Sequence, residues 1–168
     1  MRDVALVTAA LLTVTVLGAG AELVDAHLFA STPPHPTLTP SVGAIAGIFA
    51  TNVRVLATPF LLIGFAFATG RRAVVIGDVI VAGILLANTL HVGLALGCWQ
   101  GRLVPYLPHL PLECLAAAVA SAAWLNARRH PEQRPLRALR TSAGYAAAAV
   151  TLLAVAAAVE VLLSPHRP

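Results

Sequence analysis

The sequence predicts an all-α protein: a polytopic bundle of five transmembrane helices in a single domain, 1–168, with the N-terminus cytoplasmic and the C-terminus outside. Three observations carry this. First, 58% of the 168 residues are hydrophobic and 11% charged, against roughly 45–50% and 25% in soluble domains. Second, the apolar residues fall into five runs of about the length that crosses a bilayer core. Third, the arginines collect on alternate connections. A soluble enzyme, a disordered tail and a collagen-like chain are excluded.

The runs are Val4–Val24, Gly43–Thr69, Ala73–Trp99, Pro111–Ala127 and Ala143–Leu163. Arg2, the apolar run and Ala19-Gly20-Ala21 also resemble a signal peptide, but the length of the run and the polar residues after it favour retention. The second run carries Pro59, a place for a kink. The fourth is short and Ala-rich. A Thr/Pro-rich stretch, Ser31–Ser41, separates the first two runs and has no helical period.

Orientation follows from charge. With the N-terminus inside, the inner segments hold Arg2, Arg71, Arg72, Arg128, Arg129, Arg134, Arg137 and Arg140, and the outer ones only Arg102 and Arg167. That is the positive-inside pattern. The basic loop then lies against anionic lipid, which accounts for a pI near 10.0 without nucleic-acid binding. Trp99 and Tyr106 fall at the expected outer interface, and Trp124 and Tyr145 at the inner one. All the basic residues are Arg and none is Lys. With the Ala/Val/Leu excess, this points to a GC-rich bacterial genome and so to the bacterial cytoplasmic membrane.

Ionisable groups inside a span are costly and mark function by default. Here they gather in the outer leaflet: Glu22, Asp25 and His27 at the end of span one, Asn52 and Arg54 in span two, and Asn88 and His91 on one face of span three. His109 and Glu113 stand at the start of span four, and Glu160 near the end of span five. Asp78 alone lies toward the cytoplasm, within reach of water, Arg71 or Arg72. Glu22, Asp25 and Glu160 also read as span-end residues wetted by the interface, and Asn52 and Asn88 as helix–helix hydrogen bonders. Arg54 at that depth needs a carboxylate, with Glu22, Asp25 or Glu113 as candidates. Gly43/Gly47 and Gly93/Gly97 have the spacing of close helix packing.

Leu107-Pro108-His109-Leu110-Pro111-Leu112-Glu113 is the most informative segment. Pro111 suits the first position of a helix, and Glu113 then complements its dipole. His109 either caps the approach or acts as a ligand. Two imidazoles and a carboxylate (His109, His91 and Glu113) are the donor set of a catalytic zinc site that leaves a position for water. No His-Glu-x-x-His motif is present. Cys98 and Cys114, both near the outer boundary, read as buried thiols, as a disulfide, or with Cys114 as a nucleophile.

Ile48-Phe49-Ala50-Thr51-Asn52, then a Gly-punctuated apolar stretch, then Leu107-Pro108-His109 and Glu113-Cys114-Leu115-Ala116, resembles the stage II sporulation protein M family over roughly residues 43–127. That family carries a Phe-x-x-Asn element in one span and Leu-Pro-His-Gly-x-x-Glu at the start of a later one. Leu110 replaces its usual Gly, and Val53 stands where a second Asn is frequent. The resemblance implies roles for Asn52, His109 and Glu113, and a five-span membrane protein. It also implies a scaffold for envelope partners or an accessory to ribosomally made antimicrobial peptides. One expectation is a membrane-embedded, zinc-dependent peptidase that removes a leader or matures a peptide. There His109 and His91 bind metal, Glu113 is ligand or general base, Asn52 donates to the oxyanion, and Arg54 positions a carboxylate. The other is a non-catalytic scaffold or export/immunity subunit, partnered with an ABC-type transporter or an envelope protein. A transporter would need a polar path through the inner leaflet, where Asp78 stands alone.

Overall fold

The computed structural model describes residues 2–24, 41–69, 71–99, 107–130 and 135–163. These form five helices: α1 (Arg2–Val24), α2 (Val42–Thr69), α3 (Arg71–Trp99), α4 (Leu110–Arg129) and α5 (Pro135–Leu163), with no strand among the described residues. All five are long and apolar enough to cross a membrane. Large aliphatic side chains such as Val16, Leu17, Leu61, Val79 and Leu162 face outward. In water that surface would be costly; in a bilayer it is matched. The architecture is that of a multi-pass membrane protein.

Helix α4 is the most buried of the five. Its interior positions are almost all small (Ala116, Ala118, Ala120, Ala122, Ala123 and Ala127), so α1, α2 and α5 approach its axis closely. Around it α1 packs chiefly on α3, and α2 on α5. Gly93 and Gly97 make the α1–α3 contact possible: a Cβ on Gly97 would lie 2.5 Å from the Ala19 carbonyl and 2.7 Å from Glu22 Cβ, and one on Gly93 would meet Gly18 and Thr15. Helix α1 is thus packed into the bundle against α3 and α4. Gly43 and Gly47, by contrast, meet no other helix. Their face of α2 points away from α4 and α5, and α1 does not touch α2.

One end of the bundle is closed by polar clamps. Arg129 pairs with Asp3 across α4 and α1 at 2.5 Å. Asp78 on α3 accepts from Trp124 Nε1 at 2.9 Å and pairs with Arg128 at 3.3 Å. Asp78 therefore has partners on α4; the side chains of Arg71 and Arg72 lie outside the described residues. Trp124, expected at the interface, is 3% exposed, because Gly77 leaves room for its ring. Ile63, Val81, Ala123, Ala127 and Ala138 complete this core.

The helices run slightly beyond the apolar runs, most of all α5, which starts at Pro135 rather than Ala143. Hydropathy marks where lipid begins, whereas Leu136–Thr141 is a good helix-forming stretch that continues past it. Asp25, His27, Arg102, Tyr106, Arg134, Arg167 and the Thr/Pro-rich stretch lie outside the described residues.

Candidate functional site

At the end opposite the arginine clamps, α4 begins in a tight turn. Leu110 N–H donates to the Leu107 carbonyl at 3.0 Å, and Leu112 and Glu113 N–H both donate to the His109 carbonyl. His109 is thus the N-cap residue, Pro111 follows at the second helical position where no N–H is needed, and Glu113 lies one turn on. The His109 side chain makes no capping bond, so the capping reading fails and the imidazole is left for the bundle. Burial pushes its pKa below the usual 6.5. It is neutral at pH 7 and keeps a lone pair.

Two other helices meet this turn. Asn52 of α2 donates through Nδ2 to Glu113 Oε1 at 2.5 Å. This bond holds the Glu113 carboxylate and places the Asn52 amide beside it. Glu160 of α5 approaches His109, with Oε2 4.0 Å from Nε2. One ligand atom from each of His109, Glu113 and Glu160 lies within 4.8 Å of the other two. The trio offers one imidazole nitrogen and two carboxylates, a set suited to a divalent ion such as zinc. Two observations fit a cation there. His109 Nδ1 is buried with no hydrogen-bond partner among the described residues. In addition, two carboxylates this close repel when both are ionised, unless a proton or a cation lies between them.

The third donor beside His109 and Glu113 is therefore Glu160, and His91 is not one of the clustered groups. His91 instead lies on the wall of an adjoining cavity. A legible signal for Glu160 existed: α4 and α5 are antiparallel neighbours across a short connection, and about 20 residues back from Arg129 face about 25 forward from Pro135.

The cavity, about 230 Å³, lies between α2 and α3, with α4 behind it and α1 and α5 contributing single turns. Glu113, Asn52, Asn88, His91 and Cys114 supply its polar lining, and Leu85, Val81 and Leu153 lie among its apolar residues. Cys98 and Cys114 are not joined to each other.

Two expectations change. Arg54 is exposed, and no described carboxylate pairs with it, so it does not position Glu22 or Glu113. Glu22, for which wetting by the interface was one reading, is 1% exposed. It is packed on Gly97, and neither carboxylate oxygen has a hydrogen-bond partner among the described residues.

Comparison with known proteins finds no matching family model, no matching curated protein and no matching solved structure. The likeness to the stage II sporulation protein M family rests on the sequence elements Ile48–Asn52, Leu107–His109 and Glu113–Ala116.

Proposed function

We propose that the chain is a membrane-embedded, zinc-dependent peptidase acting on a ribosomally made peptide at the outer side of the bacterial cytoplasmic membrane, the N-terminus being cytoplasmic. The observation that carries this reading is the convergence of His109, Glu113 and Glu160 from two helices at one depth, beside a cavity large enough for side chains. His109 and Glu160 would hold the ion, with Glu113 as third ligand or general base. Zinc supplies Lewis acidity and a bound water of lowered pKa. The chain's own part is to hold and move protons. Asn52 occupies one Glu113 oxygen and leaves the other to accept the proton of the attacking water. As water adds to the carbonyl and the C–N bond breaks, that proton passes to the leaving amine. The apolar helices that flank the site limit bulk water at the reacting carbonyl.

The test is metal content of detergent-purified protein. About one zinc per chain, lost in His109→Ala and Glu160→Gln and kept in His91→Ala, supports the reading. Folded, monodisperse protein that takes up no zinc on addition defeats it.

A second reading has its own observation. The outward face of α2, with Gly43, Gly47 and Arg54 uncovered by the other described residues, suits a scaffold or export subunit that docks a partner helix. It predicts co-purification with a transporter or envelope protein that survives Glu113→Gln and is lost in Gly47→Leu.

A further inference from the structure

We propose that the cavity between α2 and α3 receives an unwound stretch of a transmembrane peptide, admitted sideways from the bilayer. This deepens the peptidase reading and rests on it for the cut, though not for the binding.

The access route follows from the packing. Helices α2 and α3 are consecutive and antiparallel, and they share the Trp124 core at the arginine end through Phe60, Leu62, Ile63, Val74 and Val81. Toward the other end they part, and the cavity fills the gap. Among the described residues α1 makes no close backbone contact with α2, and its Leu11 and Thr15 line the inner wall of the cavity. Asn88 and His91, one helical turn apart on α3, are both exposed and both line the cavity. They stand at its mouth, facing what is lipid in a bilayer.

The choice of occupant follows from hydrogen bonding. A helix crossing a bilayer satisfies its own backbone, but a stretch opened for cleavage exposes N–H and C=O groups that lipid cannot serve. The cavity offers groups of the same chemistry. The Asn88 amide carries a donor and an acceptor and has no bond among the described residues. Pro59 lacks an N–H, so the carbonyl of Val55, one turn earlier, is without its helical donor, and both residues line the cavity. The Thr15 and Thr89 hydroxyls are already turned back onto their own helices, so the Asn88 amide and the Val55 carbonyl join the side chains of Asn52, Thr58, His91 and Glu113 as the polar groups of the lining. Val81, Ile84, Leu85 and Leu153 then accept apolar side chains. An acyl chain would leave the Asn88 amide and the Val55 carbonyl unmatched, at a cost. A water-soluble leader would gain nothing from a mouth that opens to lipid.

The experiment uses the full chain in lipid nanodiscs with two photoreactive probes. One is a synthetic transmembrane peptide of about 20 Leu/Ala residues carrying benzoylphenylalanine at its centre; the other is a phospholipid with a diazirine in its acyl chain. Expected are peptide adducts on α2 and α3 around Val55, Ile84 and Asn88. Ile84→Trp, which fills the cavity, should abolish them, and Asn88→Leu should weaken them while strengthening lipid adducts there. Size-exclusion profiles and Trp fluorescence verify folding of each variant, and Leu86→Trp, on the exposed side of α3, controls for added bulk. Peptide adducts that persist in Ile84→Trp, or cavity adducts from the lipid alone, overturn the proposal. Protein that holds no zinc yet gives the cavity adducts defeats the peptidase reading and leaves the binding proposal standing.

Discussion

Gly77→Ala tests the account of how α3 is fixed to α4. The new Cβ would lie 2.5 Å from Trp124 Cζ2, and closer still to Cη2, where carbon atoms need about 3.5–4.0 Å. The ring cannot give way freely. It is 3% exposed and tied through Nε1 to Asp78 at 2.9 Å, and Asp78 is itself paired with Arg128. Overpacking of this kind costs about 1–3 kcal/mol, and displacement of the ring forfeits a hydrogen bond to a charged group, about 1.5–3 kcal/mol. Gly→Ala returns about 1 kcal/mol of helix propensity. The expected net effect is destabilisation by about 2–4 kcal/mol. Equilibrium unfolding in mixed micelles, followed by Trp fluorescence and circular dichroism, measures it. The partner experiment places Gly77→Ala in a Trp124→Leu background, where the methyl has room and the substitution becomes neutral or stabilising. A Gly77→Ala variant as stable as wild type refutes the packing argument. So does an equal penalty in both backgrounds.

Other expectations concern the opposite end. Asn52→Leu removes the donor that holds Glu113, and about a tenfold to hundredfold loss of zinc affinity is expected, the usual cost of losing an outer-shell partner; unchanged affinity in a competition titration argues that Asn52 has no such role. Glu22→Met replaces a fully buried carboxylate that has no hydrogen-bond partner among the described residues, so unfolding should become harder by about 1–3 kcal/mol, and a less stable variant would show that Glu22 is held by an essential partner. Zinc retention should follow the His109 proton. Its pKa lies below 6.5, so the lone pair is present at pH 7 and is lost as pH falls below that value; zinc held unchanged well below pH 6.5 during dialysis contradicts His109 as a ligand.

The sequence disclosed the fold and half of the site, for a physical reason that differs between residues. Apolar runs report which stretches lie in lipid, so all five helices were legible, as were Gly93/Gly97 as a close contact. They do not report where a helix begins beyond the lipid, which is why α5 starts well before its apolar run. Nor do they report rotation. In a soluble helix the polar face names the side that looks outward, but these helices are apolar all round, so nothing local says which side meets a neighbour. His109 and Glu113 stand four apart in one local segment, and Asn52 was named through the resemblance of Phe49-Ala50-Thr51-Asn52 to a family element. Glu160 and Glu22 stayed open between interfacial and functional readings because their surroundings are set by α4 and α3, across helix contacts. Trp124 misled for the same reason: the ring suits an interface, and only the space left by Gly77 draws it inward.

The same argument decides whether the trio is a structural fastening or a site held at a cost. A fastening should have its polar atoms matched, as Asp78 does with Trp124 and Arg128. The trio does not: His109 Nδ1 is unpartnered among the described residues, and two carboxylates crowd the same imidazole. Replacing well-matched buried polar groups destabilises a fold, whereas replacing poorly matched ones with apolar groups of similar size is neutral or stabilising by about 1–4 kcal/mol. The variant His109→Leu, Glu113→Met and Glu160→Met, unfolded in micelles without metal, should therefore be at least as stable as the wild type. Added zinc should stabilise the wild type and leave the variant unmoved. If the variant instead collapses, the three residues hold α4 to α5 as a polar fastening, and the scaffold reading gains what the peptidase loses.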